Sequence, residues 1–310
     1  MKQVLIVSSA ESTINKQITE DFVASINSIA NGEYNCTSIH YKDVAFEFGD
    51  NVRAFSIVTG IDVTSYDFVY FKSYIRYEEN ALALATVLKK QSIPFVCSEV
   101  GQGLSVSKLS QYAMLAVGGL PLPKTLFICS AHLESSFDTF ASSLKIPFVL
   151  KATDGKGGEA NYLIENREQY SKALNDNINM EFVGQSFIAN SGDLRVLVIN
   201  KSIKLIIGRT RKDDTTHLNN TSQGADARLL DVSELSVEAQ EMSLKAASVM
   251  GREIAGVDVM FEKDTEKPYI LEVNASPQVG SGAFTDEKLT VYNEFFKEVL
   301  LNIKKSDIIL

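Results

Sequence analysis

The sequence predicts an α/β protein whose C-terminal part is α+β. Two observations carry this. In the first third of the chain, short apolar β-like runs alternate with helical stretches, the pattern of a largely parallel sheet. In the last third, β-like runs come in pairs joined by short polar turns, the pattern of antiparallel hairpins.

The elements follow in order. Val4-Leu5-Ile6-Val7 is a strand, and its apolar run is too short for a signal-peptide core. A helix follows with Ile14, Ile18, Phe22, Ile26 and Ile29 as its apolar positions, ending at Gly32. Thr37 to Tyr41 and Asp67 to Phe71 read as strands, Glu78 to Lys90 as a helix and Ile93 to Cys97 as a strand. The first strand-to-helix turn has no glycine, so a dinucleotide fingerprint is absent. Gly101-Gln102-Gly103 closes this N-terminal domain, residues 1–103.

Ser107 starts a helix with Leu109, Tyr112, Ala113, Ala116 and Val117 on its apolar face, stopping at Gly118-Gly119. Thr125 to Ile128 is a strand, followed by a helical stretch to Leu144 and the strand Pro147 to Lys151. Asn161 to Glu165 is the next strand, and Asn166 with Gln169 forms a capping-box pair at the following helix. Asn179 to Val183 is β-like. Asp193 to Asn200 and Lys204 to Arg209 form a hairpin turning at Asn200-Lys201-Ser202. A polar segment, Thr215 to Ala225, precedes a helix from Val237 to Met250 that buries Ala239, Met242, Ala246 and Val249. The last helix, Val291 to Ile303, carries Phe295, Val299 and Leu300.

Bulk properties narrow the function. Hydrophobic residues make up 45% and charged residues 22%, ordinary for a globular protein. A net charge of −9 argues against nucleic acid as the main partner, which needs a basic footprint. No apolar run is long enough to span a membrane. Cys36, Cys97 and Cys129 are scattered and odd in number, which fits a cytoplasmic protein rather than a disulfide framework or a zinc site.

Two stretches carry chemistry. Gly155, Gly157 and Gly158 lie between two strands, directly after a strand that ends in Lys151. Without Cβ atoms, such a loop lets backbone N–H groups converge on an anion, which the lysine can also reach; a plain flexible turn is the alternative. The second stretch is the hairpin Ala255 to Phe261 and Tyr269 to Pro277. A turn centred on Thr265 places Asp258 opposite Glu272, with Asn274 on the same face. Opposed carboxylates repel. Two carboxylates and an amide would suit magnesium or manganese, although solvated acids on a surface hairpin are the plainer reading. Arg209, Arg211 and Lys212 form a basic cluster of the kind usually found on a solvated face.

In order, Lys108, Lys151, the glycines from Gly155 to Gly158, Glu181-Phe182-Val183, Asp193-x-Arg195, Asn220-x-x-x-Gly224-Ala225, Asp258 and Glu272-x-Asn274 resemble the ATP-grasp superfamily, and within it the RimK-type ligases. The resemblance covers about residues 105 to 285 and is most specific at GVD and LEVNASP. It implies an ATP-grasp fold: a central subdomain at 104–183 with a glycine flap, and a C-terminal subdomain at 184–310 with a metal site. A Rossmann-like domain would precede them.

It further implies roles. Lys108 and Lys151 would contact the phosphates of ATP, under a flap containing Gly155, Gly157 and Gly158. Glu181, Phe182 and Val183 would form the adenine hinge, and Asp193 would lie on the ribose side. Asp258, Glu272 and Asn274 would hold Mg²⁺ or Mn²⁺. Asn220 would lie near metal and phosphates, and Arg195 and Arg209 near substrate or acyl phosphate, with Arg211 an alternative for the latter role.

The implied activity is ATP-dependent ligation through an acyl phosphate. Its partners would be ATP, an amino acid, and a carboxylate on a small molecule, peptide or protein, with no nucleic acid or membrane. A homo-oligomer is compatible with the sequence. Thr221-Ser222-Gln223 lacks the basic residue related ligases have before the glycine, which leaves the acceptor open. Two other activities are compatible: formation of side-chain ester or amide rings in a precursor peptide, and nucleotide binding without catalysis.

Overall fold

The structure, a computed structural model, describes residues 1–9, 12–50, 52–103, 107–153, 160–211, 225–280 and 282–303. The chain opens with β1 (Lys2–Ser8), α1 (Thr13–Ala30), β2 (Tyr34–His40), β3 (Val44–Glu47), β4 (Arg53–Ser56), β5 (Phe68–Phe71), α2 (Glu78–Lys90) and β6 (Phe95–Val96). As the alternation implies, β2-β1-β5-β6 form a parallel sheet. Val44–Glu47 and Arg53–Ser56 add an antiparallel β3–β4 hairpin for which the alternation gives no signal.

The buried face of α1 differs from the expected stripe. Phe22 and Ile26 are buried, but Ile14 is 72% and Ile29 37% exposed. A helix turns about 100° per residue, so apolar positions at every fourth residue drift around it by about 40° a step. Only the arc centred on Phe22 and Ile26 meets the sheet.

The middle of the chain comprises α3 (Lys108–Val117), β7 (Thr125–Phe127), α4 (Ser130–Leu133), α5 (Phe137–Leu144), β8 (Phe148–Ala152), β9 (Asn161–Ile164), α6 (Arg167–Asn175) and β10 (Phe182–Ser186). Its sheet runs β7-β10-β8-β9, antiparallel throughout. The glycine-rich segment thus joins two paired strands, β8 and β9. At α6, Asn166 accepts from the Gln169 amide, and the Gln169 side chain accepts from the amide of Glu165, one residue before the expected partner.

The third sheet is built from β11 (Asp193–Ile199), β12 (Ser202–Thr210), β13 (Asp226–Leu230), β14 (Ile254–Phe261) and β15 (Pro268–Asn274), in the order β13-β12-β11-β14-β15. Helix α7 (Val237–Val249) packs on one face, with Ala239, Met242 and Ala246 buried against Val196, Val198 and Ile206. Tight turning at Asn200 and Lys201, both at positive φ, closes the β11–β12 hairpin where expected.

Helix α8 (Thr285–Asn302) crosses back to the first sheet. Tyr292 and Phe296 are fully buried and meet Phe22, Tyr34, Phe68 and Tyr70 edge-on or tilted. Burial of a phenylalanine ring such as Phe296 stabilises by roughly 1.5–3 kcal/mol. That cluster ties the N-terminal sheet to the end of the chain.

Candidate functional site

The site face of the third sheet follows from its register. Opposed residues of antiparallel strands share a face. Arg209 on β12 lies opposite Asp193 on β11. Two residues along, Arg195 lies opposite Asp258 on β14, and Asp258 lies opposite Glu272 on β15. Asn274 lies opposite Gly256. The expected Asp258–Glu272 register is therefore found. It is reached through an irregularity after Asp258, where the pairing shifts so that Val259 faces Ile270.

The four charges nearest the sheet centre form a closed network. Arg195 Nε donates to Asp258 Oδ1, and Arg195 Nη2 to Asp258 Oδ2 at 2.8 Å. Arg209 Nε donates to Asp193 Oδ1 at 2.6 Å. Arg209 Nη2 lies 3.1 Å from Asp258 Oδ2, close enough for charge attraction but not aligned as a hydrogen bond. Gly256 makes room for the pair, since a Cβ there would sit 3.1 Å from Arg195 Cδ and 3.0 Å from Pro277 Cβ.

Burial of Arg209 corrects the reading of its cluster as a solvated face: it is 7% exposed, because Asp193 and Asp258 neutralise it inside the fold. Burial pushes the Asp258 carboxyl up, but Arg195 and Arg209 outweigh it and hold the group below its usual range. Burial dominates at Asp193, whose carboxyl rises to about 6 despite Arg209. The two acids share the same arginines, so the charge of each affects the ionisation of the other.

The second sheet supplies the facing cation. Lys151 on β8 donates to Gln185 Oε1 at 2.7 Å. Enclosure lowers its ammonium to about 8, and the charges it senses are Glu272, Lys108, Asp258 and Asp193. Lys108 and all three acids are thus within electrostatic reach of Lys151. Lys108 opens α3, where Ser107 caps the helix by accepting from Ser110 N at 3.2 Å.

The structure does not gather every expected residue there. The Glu181 carboxylate accepts from Ser130 N at 2.9 Å and from Ser130 Oγ at 2.5 Å, so it caps α4. Phe182 and Val183 bury their side chains in the core, and their backbones pair within the sheet. Gly155, Gly157, Gly158 and Asn220 lie outside the described residues.

Several neighbours gave no sequence signal. The face of α3 is turned by roughly a third of a turn from the expected stripe. It buries Gln111, Tyr112 and Leu115 and leaves Val117 91% exposed. Lys288 on α8 is buried beside Arg195, and together they lower its ammonium to about 8. A cavity of about 40 Å³, room for a carboxylate group, lies among Arg195, Arg209, Lys288, Gln278, Leu205 and Ile207.

A divalent cation fits the donor set in part. Glu272 lies opposite Asp258, while Asn274 Nδ2 donates to Glu272 Oε1 at 2.9 Å and to the Gly256 carbonyl at 3.3 Å, so an Asn274 oxygen reaches a metal here only if its amide turns over. Magnesium accepts one or two carboxylates and completes its shell with phosphate and water oxygens. Among the described residues no three acids, histidines or cysteines form a metal cage. The set suits a metal that arrives with phosphate. Both Asp258 oxygens are engaged by arginines, so binding there requires Arg195 to move.

The family model of the RimK-like ATP-grasp domain matches residues 105–290. The chain belongs to this family. RimK-like relatives include a probable alpha-L-glutamate ligase of Cellvibrio japonicus (strain Ueda107), 28% identical over 63% of this chain and 64% of its own length. Another is the ribosomal protein bS6–L-glutamate ligase of Shigella boydii serotype 4 (strain Sb227), 28% identical over 55% of each chain. The matches therefore span only about 55–64% of these curated relatives.

Solved structures share the ATP-grasp fold along nearly the whole chain. The D-alanine–D-alanine ligase of Bacillus anthracis complexed with ATP superposes at TM-score 0.69, with 15% identity and 100% of both chains covered. The ATP-grasp ligase PsnB, complexed with a phosphomimetic variant of its minimal precursor, Mg and ADP, superposes at 0.67, with 16% identity over 97% of this chain and 98% of that one.

Proposed function

We propose that this RimK-like protein is an ATP-dependent carboxylate–amine ligase, joining an amino acid to a carboxylate of a peptide or protein. The observation that carries this is the face made by Asp193, Arg195, Arg209, Asp258, Glu272 and Asn274, whose acids, together with Lys108, lie within electrostatic reach of Lys151. It offers cations for phosphate and oxygen donors for a metal.

A carboxylate is a poor electrophile. In the proposed reaction an acceptor carboxylate oxygen attacks the γ-phosphorus of ATP, and ADP leaves. The acyl phosphate is then attacked at carbon by the amine, phosphate departs, and the amine loses its proton. The products are an amide, ADP and phosphate. Positioning and charge neutralisation do most of the work in such phosphoryl transfer.

Lys108 and Lys151 hold phosphates. Asp258, Glu272 and Asn274 would hold Mg²⁺ or Mn²⁺, which would supply positive charge to a transferring phosphoryl group. Arg195 and Arg209 steady the acyl phosphate as it forms and breaks. The cavity bounded by Arg195, Arg209 and Lys288 admits a carboxylate, which supports an acidic substrate. Names of relatives support glutamate as the added amino acid.

An ADP-release screen with Mg²⁺, single amino acids and acidic peptides tests this. Release should require an amine and a carboxylate together, with a product heavier by the amino acid less one water. A peptide that only loses water would identify ring formation instead. Tight ATP binding with no release on any pair would contradict the ligase assignment.

A further inference from the structure

Strand β15 carries Glu272 and Asn274 and is the outermost strand of its sheet. An edge strand leaves backbone N–H and C=O groups without ladder partners. Here a side chain answers them. Gln111 Nε2 donates to the Val273 carbonyl at 3.0 Å, and Val273 N donates to Gln111 Oε1 at 2.6 Å. A primary amide carries one acceptor and two donors, so it can stand in for one peptide group of a missing neighbour strand. Arg252 Nη1 donates to the same Val273 carbonyl.

The place of this contact matters. Val273 is the residue between Glu272 and Asn274, so its main chain sets where both side chains leave the strand. The ladder to β14 is irregular just beside it, where pairing shifts after Asp258. Such an irregularity leaves residues unpaired and the strand locally bent. Gln111 is only 6% exposed and lies one turn after Lys108 on α3. One helix therefore carries a candidate phosphate lysine and the pin on the metal-bearing strand.

We propose that Gln111 is a positioning residue, holding the Val273 main chain so that Glu272 and Asn274 keep the oxygen spacing a divalent cation demands. The inference rests on the ligase reading of the site. Magnesium tolerates little departure from octahedral geometry, so a small displacement of two ligands lowers affinity.

The test is a Mn²⁺ titration of the full chain followed by electron paramagnetic resonance, with a non-hydrolysable ATP analogue present. Gln111→Met keeps the volume and removes both hydrogen bonds. It should weaken Mn²⁺ binding about tenfold or more, the usual effect of losing a group that orients metal ligands. Affinity for the nucleotide without metal should stay within about threefold, since no phosphate contact is lost. Gln111→Asn keeps the amide but is one methylene too short to reach the Val273 main chain, so it should also weaken Mn²⁺ binding about tenfold.

Wild-type Mn²⁺ affinity in folded Gln111→Met overturns the proposal. Should that variant fail to fold, Gln111→Asn decides, and parental Mn²⁺ affinity there overturns the proposal equally. If the parent protein shows no nucleotide-dependent Mn²⁺ binding, the ligase reading itself falls, a result separate from either variant.

Discussion

Two buried acid–arginine clusters flank the β14–β15 hairpin, and they are built differently. On the site face, Asp193 and Asp258 are met by Arg195 and Arg209, two charges of each sign with hydrogen bonds between them. At the junction with the N-terminal sheet, Glu99 is 1% exposed and takes a hydrogen bond from Tyr74 at 2.7 Å. Its arginine, Arg252, lies 3.8 Å away, and both Glu99 Oε2 and Arg252 Nε lack a hydrogen-bond partner.

Electrostatics follow from that geometry. The Asp258 carboxyl is held below its usual range, whereas burial raises Glu99 to about 7 with Arg252 opposing only in part. A well-matched network keeps an acid ionised inside a protein, ready to meet a cation. A poorly matched one leaves the acid only partly ionised near neutral pH. The first suits chemistry. The second suits a junction, where Arg252 links Glu99 to the Val273 carbonyl.

Substitutions can break this contrast, and the largest effect should come at Asp258. Asp258→Asn removes a candidate metal ligand and the partner of two arginines. ADP release should fall by at least ~100-fold, as when a preorganised electrostatic group is lost. Near-parental turnover in a variant with an unchanged circular dichroism spectrum would break the assignment.

Arg209→Met should act on stability as well. It leaves Asp193 facing a single arginine shared with Asp258, and removing one partner of a buried pair costs about 3–5 kcal/mol. A lowered midpoint in urea unfolding would show this, and an unchanged midpoint would mean that the network contributes little to folding.

Glu99→Gln should have the smallest effect on turnover, within about threefold, because no proposed contact to substrate is lost. Its signature lies in pH. Glu99 is raised from 4.5 to about 7 on folding, so the native state binds the extra proton between those values. Stability therefore falls as pH rises through that window, and the full cost is present above it. Glu99→Gln should flatten the slope of unfolding free energy between about pH 4.5 and 7. An unchanged slope would show that Glu99 is not the group titrating there.

The same contrast explains what the sequence makes visible. Asp258 and Glu272 are legible because two acids face each other across a short hairpin whose turn can be counted. The parallel first sheet is legible from its alternation of strands and helices. Gln111 is not, since a glutamine in an amphipathic helix reads as solvent-facing until the strand it serves is placed against it. Arg209 looks exposed beside Arg211 because its neutralising acid, Asp193, is distant in sequence and adjacent only through β-pairing. Glu181 sits next to a strand as expected, but its role as the cap of α4 depends on Ser130, far back in the chain. Glu99 and Arg252 are likewise brought together only by the packing of the N-terminal sheet on the third.

A crystal structure of the full chain with Mg²⁺ and a non-hydrolysable ATP analogue tests the central assignment most directly. The account predicts a metal ion with Asp258, Glu272 and Asn274 oxygens at ~2.0–2.1 Å, phosphates reached by Lys108 and Lys151, and Arg195 released from Asp258. A nucleotide bound away from this face, with Asp258 still clamped by Arg195 and Arg209, would contradict it.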